Sequence, residues 1–586
     1  MRIRKERGVG QAVANLYYVE DTEKPVSIKA WTLPPERRKG AKVIAYRQRD
    51  VGDAVVMGAG GSVITTHRRR FIDASGDAMV GSVFGYETVV RDRGSASELV
   101  WRFQTEYPVL RSRVSLSLPE GWSYRAHVMS DGKLSHGDEG SFSSWEARDL
   151  PSVERQPYGR VKQFELGLAL AAPNGEREFL PESWEDLARY FWPYFSSDRE
   201  LTPEMSSRVS ELTAGLTDPL ERARALAEFA QSINYLSIAL DLGSGGGYRP
   251  RAPVEVFQSN YGDCKDKTNL LVALLGAKGV EAYPLIVNWD SEASDVDADW
   301  VSPMQFNHCI VAIKVPDAYE SPNIVQKEGV GKLFIFDPTD VHTTFGDIAT
   351  DLQGTKGLLL AGDAGGLISI PRLPLENCEV RRTVSAHLGL AGVQGKLKEV
   401  SKGQNAAFER RFAFTNDRNY TERVLRWLGG SIHSAQVLEM ESNDYRERDA
   451  FSLEATFYAK GYGKNIRDRT LMFKPVLIDR MEVLPFGKDV RKQEVHLKPQ
   501  CLVESYELSL PEGFEVSEMP ENRSFEELFG SYELNFEYDA ELDLLRVNRS
   551  IRIEPLLVPL EHYPALERFY KRRINADSST VVLEAL

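Results

Sequence analysis

The sequence predicts a multidomain α+β protein in which antiparallel β-sandwich regions flank a mixed central domain. Three observations lead there. Short runs with strand-like alternation, separated by turn signals, fill the text from about Val26 to Leu118. A capped-helix signal opens a mixed region near Asp218, and after about Leu375 the strand pattern returns almost to the end. At roughly 150 residues per domain, 586 residues make about three or four units. We draw them as a β-sandwich domain at 1–178, an aromatic-rich helical linker at 179–204, a mixed core at 205–375, and a β-rich region with short helices at 376–586 that divides into one module or two.

Composition narrows the function. With 42% hydrophobic and 27% charged residues the chain has material for packed cores and lacks the bias of a disordered one. Its 72 basic and 86 acidic residues leave a net charge of −14, which argues against a partner that needs a basic surface, nucleic acid above all. No apolar stretch reaches the roughly 20 residues of a membrane-spanning helix; Lys278, Gly279 and Glu281 interrupt the nearest, Leu270 to Val287. The 4 cysteines, Cys264, Cys309, Cys378 and Cys501, show no Cys-x-x-Cys spacing, so neither a structural zinc site nor a disulfide framework is indicated.

In the first domain, Val83–Val90, Leu99–Gln104 and Val114–Leu118 read as strands, with Gly58 to Gly61 among the turn signals between runs. In the linker, Ser183 stands three residues before Asp186 as a helix cap, and Trp184, Tyr190, Phe191, Trp192, Tyr194 and Phe195 read as packing contacts rather than a carbohydrate platform. Asp218-Pro219-Leu220-Glu221 offers a cap, a proline at the first helical position and a glutamate, for a helix running to about Ser232. The run Gly243 to Gly247 lacks the residues of a phosphate loop and reads as a connection. Further helices are expected near Asn419–Leu428 and Tyr563–Asn575. Leu-Ser-Leu-Pro-Glu-Gly occurs at Leu116 and again at Leu508, each time reading as a turn that leaves a strand.

The chemistry concentrates in Tyr261-Gly262-Asp263-Cys264-Lys265-Asp266-Lys267 and the apolar run that follows. Gly262 and Asp263 break the preceding structure and cap a helix with Leu271, Leu274 and Leu275 on its apolar face, which sets Cys264 in the first turn. Unpaired N–H groups and the positive end of the helix dipole there favour a thiolate, the nucleophilic form. Lys265 and Lys267 are expected to push the same way, against Asp263 and Asp266. Downstream, His308 heads an apolar strand and Asp337 ends another just before Pro338, where a carboxylate can accept an imidazole N–H. Alone, each of these two has an ordinary structural reading. Together with the cysteine they follow the chain order of a transglutaminase or papain-type core.

Residues 205–350 resemble the bacterial transglutaminase-like superfamily through the cysteine motif, Phe306-Asn307-His308 and Phe336-Asp337-Pro338-Thr339, with Tyr235-Leu236-Ser237-Ile238 and Tyr248-Arg249-Pro250 similar to the segment leading into it. Gly81 to Gln104 with Tyr107-Pro108-Val109, and Leu510 to Phe514 with the final helix, resemble the β-domains found before and after such cores. The resemblance implies a papain-like α+β core in which Cys264 attacks an amide carbonyl, His308 carries the proton and Asp337 orients His308. It implies a protein or peptide substrate, transfer of the acyl group to water or to an amine, no cofactor and no metal. It further implies a periplasmic or extracellular location, although no apolar stretch follows the basic start at Met1 to Arg7. The oxyanion would be held by the Cys264 N–H and a second donor, Tyr235 or Gln258.

Other readings compete. The acidic run Asp290 to Asp299 does not spell a calcium loop, because Trp300 stands where the glycine belongs and Phe306 where the glutamate does. Cys309 reads as a small buried hydrophobe on the face of its strand away from His308. The rival function is a non-catalytic core of the same fold that binds a peptide or protein partner.

Overall fold

The computed structural model describes the chain except residues 21, 36–41, 57–62, 93–97, 130–131, 141, 160–163, 173–180, 198, 240–246, 290–295, 415–416 and 488–489. The turn signal at Gly58 to Gly61, most of the Gly243–Gly247 run and the first part of the acidic run lie outside the described residues.

Alternation and turn glycines make the N-terminal region entirely β with short 3₁₀ turns. Among the described residues it holds four three-stranded sheets whose inward side chains form two separate cores, one around Ile3, Ala14, Ile72 and Phe84 and one around Phe103, Trp145, Phe164 and Leu166. The predicted strands are Val83–Asp92, Glu98–Arg102 and Val109–Ser117.

The central region is built on a six-stranded antiparallel sheet, in the order Ile324–Lys327, Gly331–Phe336, His308–Val315, Ala282–Val287, Lys356–Leu359 and Gly366–Ser369. Helix α1 (Trp184–Ser196), capped by Ser183 as expected, buries Trp184, Leu187, Phe191 and Phe195 against the far end of this sheet, so its aromatics are packing residues. Helices α2 (Pro203–Leu212) and α3 (Pro219–Ser232) follow, the latter with Asp218 accepting from the N–H groups of Leu220 and Glu221. Helix α4 (Pro253–Ser259) ends at Asn260 in the left-handed conformation, and α5 (Cys264–Gly276) begins at the cysteine. Apolar residues on every side of α5 go with a wholly buried helix: from Asp266 to Leu275 it is sheathed by α3, α4 and the sheet. The strand His308–Val315 is buried on both faces, which explains why its sequence is continuously apolar rather than alternating.

The C-terminal region is an eight-stranded mixed sheet in which Glu379–Gly389 runs parallel to Gln500–Ser509, with α6 (Gly403–Ala413), α7 (Asp417–Ser431) and α8 (Tyr563–Asp577) packed on it over one continuous core. Helices α7 and α8 match expectation and α6 does not. Its N-cap, Lys402, offers no side-chain acceptor, so the capping signal is missing from the sequence. Both copies of the repeated hexapeptide leave a strand through a glycine at positive φ, Gly121 and Gly513. Among the described residues no helix is long and apolar enough to cross a membrane.

Candidate active site

Helix α5 owes its start to a reciprocal capping box. The Asp263 carboxylate accepts from the N–H of Asp266 at 3.2 Å, and the Asp266 carboxylate accepts from the N–H of Asp263 at 3.3 Å. Arg251 locks this turn: its main-chain N–H donates to Asp266 at 2.8 Å and its Nε at 2.9 Å, while its guanidinium reaches the Tyr261 carbonyl and covers that ring at 4.6 Å. Gly262 is needed because a Cβ there would stand 2.8 Å from the Cβ of Asp266. Cys264 is thereby the first residue of the helix, its thiol half-buried and its N–H without an intrahelical acceptor.

The two lysines differ. Lys265 is paired with Asp263. Lys267 is fully buried and donates to the carbonyls of Gln231 at 3.0 Å and Ile233 at 2.7 Å, where it satisfies the C-terminal end of α3. Burial pushes its ammonium down to about 8, against the nearby carboxylates of Asp337 and Asp340. Lys265 still interacts with the Cys264 thiol beside it, whereas Lys267 is turned to the main chain of α3.

The thiol and the imidazole are brought together by the sheet. Thr268, one turn along α5, donates to the carbonyl of Cys309 at 3.1 Å and so ties the helix that begins at Cys264 to the head of the His308–Val315 strand. His308 Nε2 lies 2.9 Å from Asp337 Oδ2, with only 10% and 5% of the two side chains exposed. The Cys264 thiol lies close enough to the imidazole to favour its charged form. Burial would lower the His308 pKa, but the Asp337 charge, its hydrogen bond and the contact with Cys264 outweigh it and push it up to about 10. Burial would raise Asp337, and the imidazole and Thr339 hold it below the usual carboxylate value.

Thr339 and Trp289 are site residues to which the sequence reading assigned no role. Thr339 donates to Asp337 Oδ1 through both its N–H and its hydroxyl, each at 2.7 Å, so the oxygen that does not face His308 is also fixed. Trp289 stands edge-on to His308 with ring centroids 5.1 Å apart. Pro338-Thr339 after an aspartate is itself a turn signal, and Thr339 was legible there as a second partner of the carboxylate.

The two oxyanion candidates are both exposed, Tyr235 at 47%, and differ in their position relative to the cysteine turn. Tyr235 pairs in parallel with Gly262, and the Leu236 N–H donates to the Gly262 carbonyl at 3.0 Å, which sets Tyr235 beside the cysteine turn. Its phenol is pushed above the ordinary value by burial and then by Cys264, and so stays a donor. Gln258 lies exposed on α4. Cys309 is buried within the cluster that Cys264 borders, and burial raises its thiol well above the ordinary value. Cys378 and Cys501 are free thiols. Among the described residues no group of three or more His, Cys, Asp or Glu side chains is disposed to hold a metal ion.

Comparison with known proteins bears on the fold. Residues 206–319 match the model of the transglutaminase-like superfamily, and residues 468–583 match DUF3858, a domain of unknown function with solved structure. The chain is similar over 99% of its length to the crystal structure of a “putative protease” from Parabacteroides distasonis ATCC 8503, of which it covers 94%, with a TM-score of 0.58 and 12% identity. A “putative cysteine protease” from Cytophaga hutchinsonii aligns over 42% of this chain and 75% of its own at a TM-score of 0.19 and 12% identity, too weak a likeness to carry an argument. No curated protein matches the chain. The chain therefore carries a transglutaminase-like domain between β-rich regions, and the likeness to the Parabacteroides structure is one of fold.

Proposed function

We propose that the protein is a cysteine-dependent acyl-transfer enzyme acting on an amide bond of a protein or peptide. The observation that carries this reading is the disposition of His308: one ring nitrogen is held 2.9 Å from a buried carboxylate, and the ring neighbours a cysteine that is the first residue of a buried helix.

In this reading the proton of the Cys264 thiol already rests on His308, whose pKa is pushed up to about 10, and the sulfur attacks the amide carbonyl carbon as a thiolate. The oxyanion that forms is held by the Cys264 N–H and the Tyr235 hydroxyl. Collapse re-forms the carbonyl and breaks the C–N bond, with His308 returning its proton to the leaving amine, and a thioester on Cys264 remains. Water or a second amine then attacks the thioester, giving hydrolysis or transamidation. Asp337 keeps the imidazole in one tautomer and stabilises the imidazolium, and Thr339 keeps the carboxylate in place.

The test is the pH dependence of iodoacetamide alkylation at Cys264, followed by peptide mass spectrometry, in the wild type and in His308→Ala, together with turnover of a casein substrate. Reaction well below the ordinary thiol pKa of about 8.5 that is lost in His308→Ala, with turnover absent from Cys264→Ala, supports the enzyme. A Cys264 indifferent to His308 in a folded variant turns the reading toward the binding scaffold.

A further inference from the structure

Resting on that reading, the contacts of the flanking regions acquire a role. The segment that leads into His308 is gripped by the N-terminal β-region. Trp300, 2% exposed, has the His127 ring stacked on it with centroids 5.5 Å apart and planes 10° apart, and the Arg125 guanidinium over it at 5.1 Å. A Cβ at Gly167 would come within 2.8 Å of the indole, so that strand must carry glycine where the tryptophan docks. His127 Nε2 lies 2.7 Å from Asp297 Oδ2, Arg125 donates to the Val301 carbonyl at 3.1 Å, and the Ser302 hydroxyl bonds Glu98.

From this anchor, bonds within the same segment and a final ring contact lead to the imidazole. The Asp297 N–H donates to Gln305 Oε1 at 2.7 Å, and Gln305 Nε2 returns a bond to the Asp297 carbonyl at 3.1 Å. The Asn307 N–H donates to the Val287 carbonyl at 3.1 Å, its side chain accepts from the Trp289 N–H at 2.7 Å, and Trp289 stands against His308.

The C-terminal region grips the loop behind Asp337 in the same manner. Gln404 on α6 donates to the Thr343 hydroxyl at 3.2 Å and to Asp347 at 2.6 Å. Arg410, fully buried and paired with Asp444 at 2.7 Å, donates to the His342 carbonyl at 3.1 Å. Arg446 donates to the Val341 carbonyl at 2.9 Å. Within the core, Gln231 gathers the main-chain carbonyls of Asp337, Asp340 and Thr343, which ties this loop to the backbone of Asp337.

We propose that Arg125 and His127 on one flank and Gln404 and Arg410 on the other are positioning residues, and that the alignment of Cys264, His308 and Asp337 is set by docking of both β-regions. His308 begins one strand and Asp337 follows another, but among the described residues the segments that lead into His308 and away from Asp337 have little regular structure of their own. Without outside contacts they would sample many conformers, and a displacement of about 1 Å at a reacting group lowers a rate by about a hundred-fold.

The experiment measures the rate and pH profile of iodoacetamide alkylation at Cys264 in the full chain for the wild type, His308→Ala, Arg125→Met, His127→Phe and Gln404→Met. His127→Phe keeps the ring on Trp300 and removes only the bond to Asp297. Arg125→Met and Gln404→Met are expected to lower the rate near pH 6 by about ten-fold to a hundred-fold and to shift the profile toward that of His308→Ala, with thermal unfolding still cooperative. His127→Phe does so to a smaller degree, and Arg125→Lys recovers part of the loss. Profiles that superimpose on the wild type in these folded variants, while His308→Ala still departs from it, overturn this inference alone. A His308→Ala profile equal to the wild type overturns the cysteine–histidine reading and this inference with it. If Arg125→Met does not fold, the His127→Phe and Gln404→Met profiles decide.

Discussion

Two clusters of buried charge stand in this molecule and differ in one respect. In the C-terminal region Arg382 donates to Glu399 at 2.8 and 2.7 Å, to Asp479 at 2.8 Å and to Glu504; Arg549 bonds Glu504 and, at 2.8 Å, Asp577, which also accepts from the Tyr532 hydroxyl at 2.7 Å. Burial disfavours both guanidinium charges, and the surrounding carboxylates more than restore them. In that network each guanidinium is matched by carboxylates, with Asp479 at its partly exposed edge. In the central domain His308 and Asp337 are as deeply buried, yet one side of the imidazole looks toward a half-buried thiol. A charge-matched ionic network holds shape and leaves no capacity for reaction, whereas a buried pair open on one side toward a nucleophile can move a proton.

The sharpest way to break this comparison is Cys264→Ala. Turnover should fall by about 10⁴-fold or more while stability changes by about 1 kcal/mol or less, as read by casein cleavage and urea unfolding. Glu504→Ala should do the opposite. Removing a carboxylate shared by Arg382 and Arg549 should cost about 3–5 kcal/mol in urea unfolding and leave the alkylation profile of Cys264 in the folded state unmoved. Asp337→Asn should lower turnover by about 10²–10⁴-fold by releasing the imidazole from its orientation.

The pH dependence separates the two clusters further. His308 has its folded pKa raised from 6.5 to about 10, so the stability it contributes is fully present below 6.5 and is lost as pH rises through about 10. Asp337 is lowered from 3.8, so its contribution is present above 3.8 and is lost as pH falls through the folded value. The stability gap between the wild type and Asp337→Asn should therefore be widest between these limits and close toward pH 10, measured by urea midpoints across that range. A gap that stays constant into alkaline solution would show that the imidazolium contributes nothing. The smallest expected effect is that of Thr339→Val, about 1 kcal/mol in stability and a several-fold loss in turnover.

Much of the local structure was legible because capping signals are local. Asp218-Pro219 sets the start of α3 and Asp263 that of α5, each through its own carboxylate and N–H groups within three residues. Where the local signal is missing, reading fails: α6 follows directly from a strand with Lys402 at its cap and Gly403 at positive φ. Lys267 of the cysteine motif was misread for a different cause. Its type suggests a cation beside a thiolate, but Lys267 turns to the carbonyl end of α3, a helix that ends more than thirty residues upstream. Trp300 entered the sequence reading only as the residue that spoils a calcium loop, and its contacts with Arg125 and His127 lie at sequence separations that no local pattern encodes.

The sequence by itself determined the residue types and their order: a cysteine behind a capping aspartate, a histidine at the head of one strand, an aspartate at the tail of another, between two stretches of alternating β text. These follow from short-range sterics, capping and side-chain periodicity, which a chain carries in any context. The tertiary structure alone decided which nitrogen of His308 meets Asp337, which lysine is buried, and which side chains of the flanking regions hold the loops around the pair. Those depend on groups far apart in sequence competing for the same hydrogen bonds and the same buried volume, and that competition is resolved only when the elements pack together.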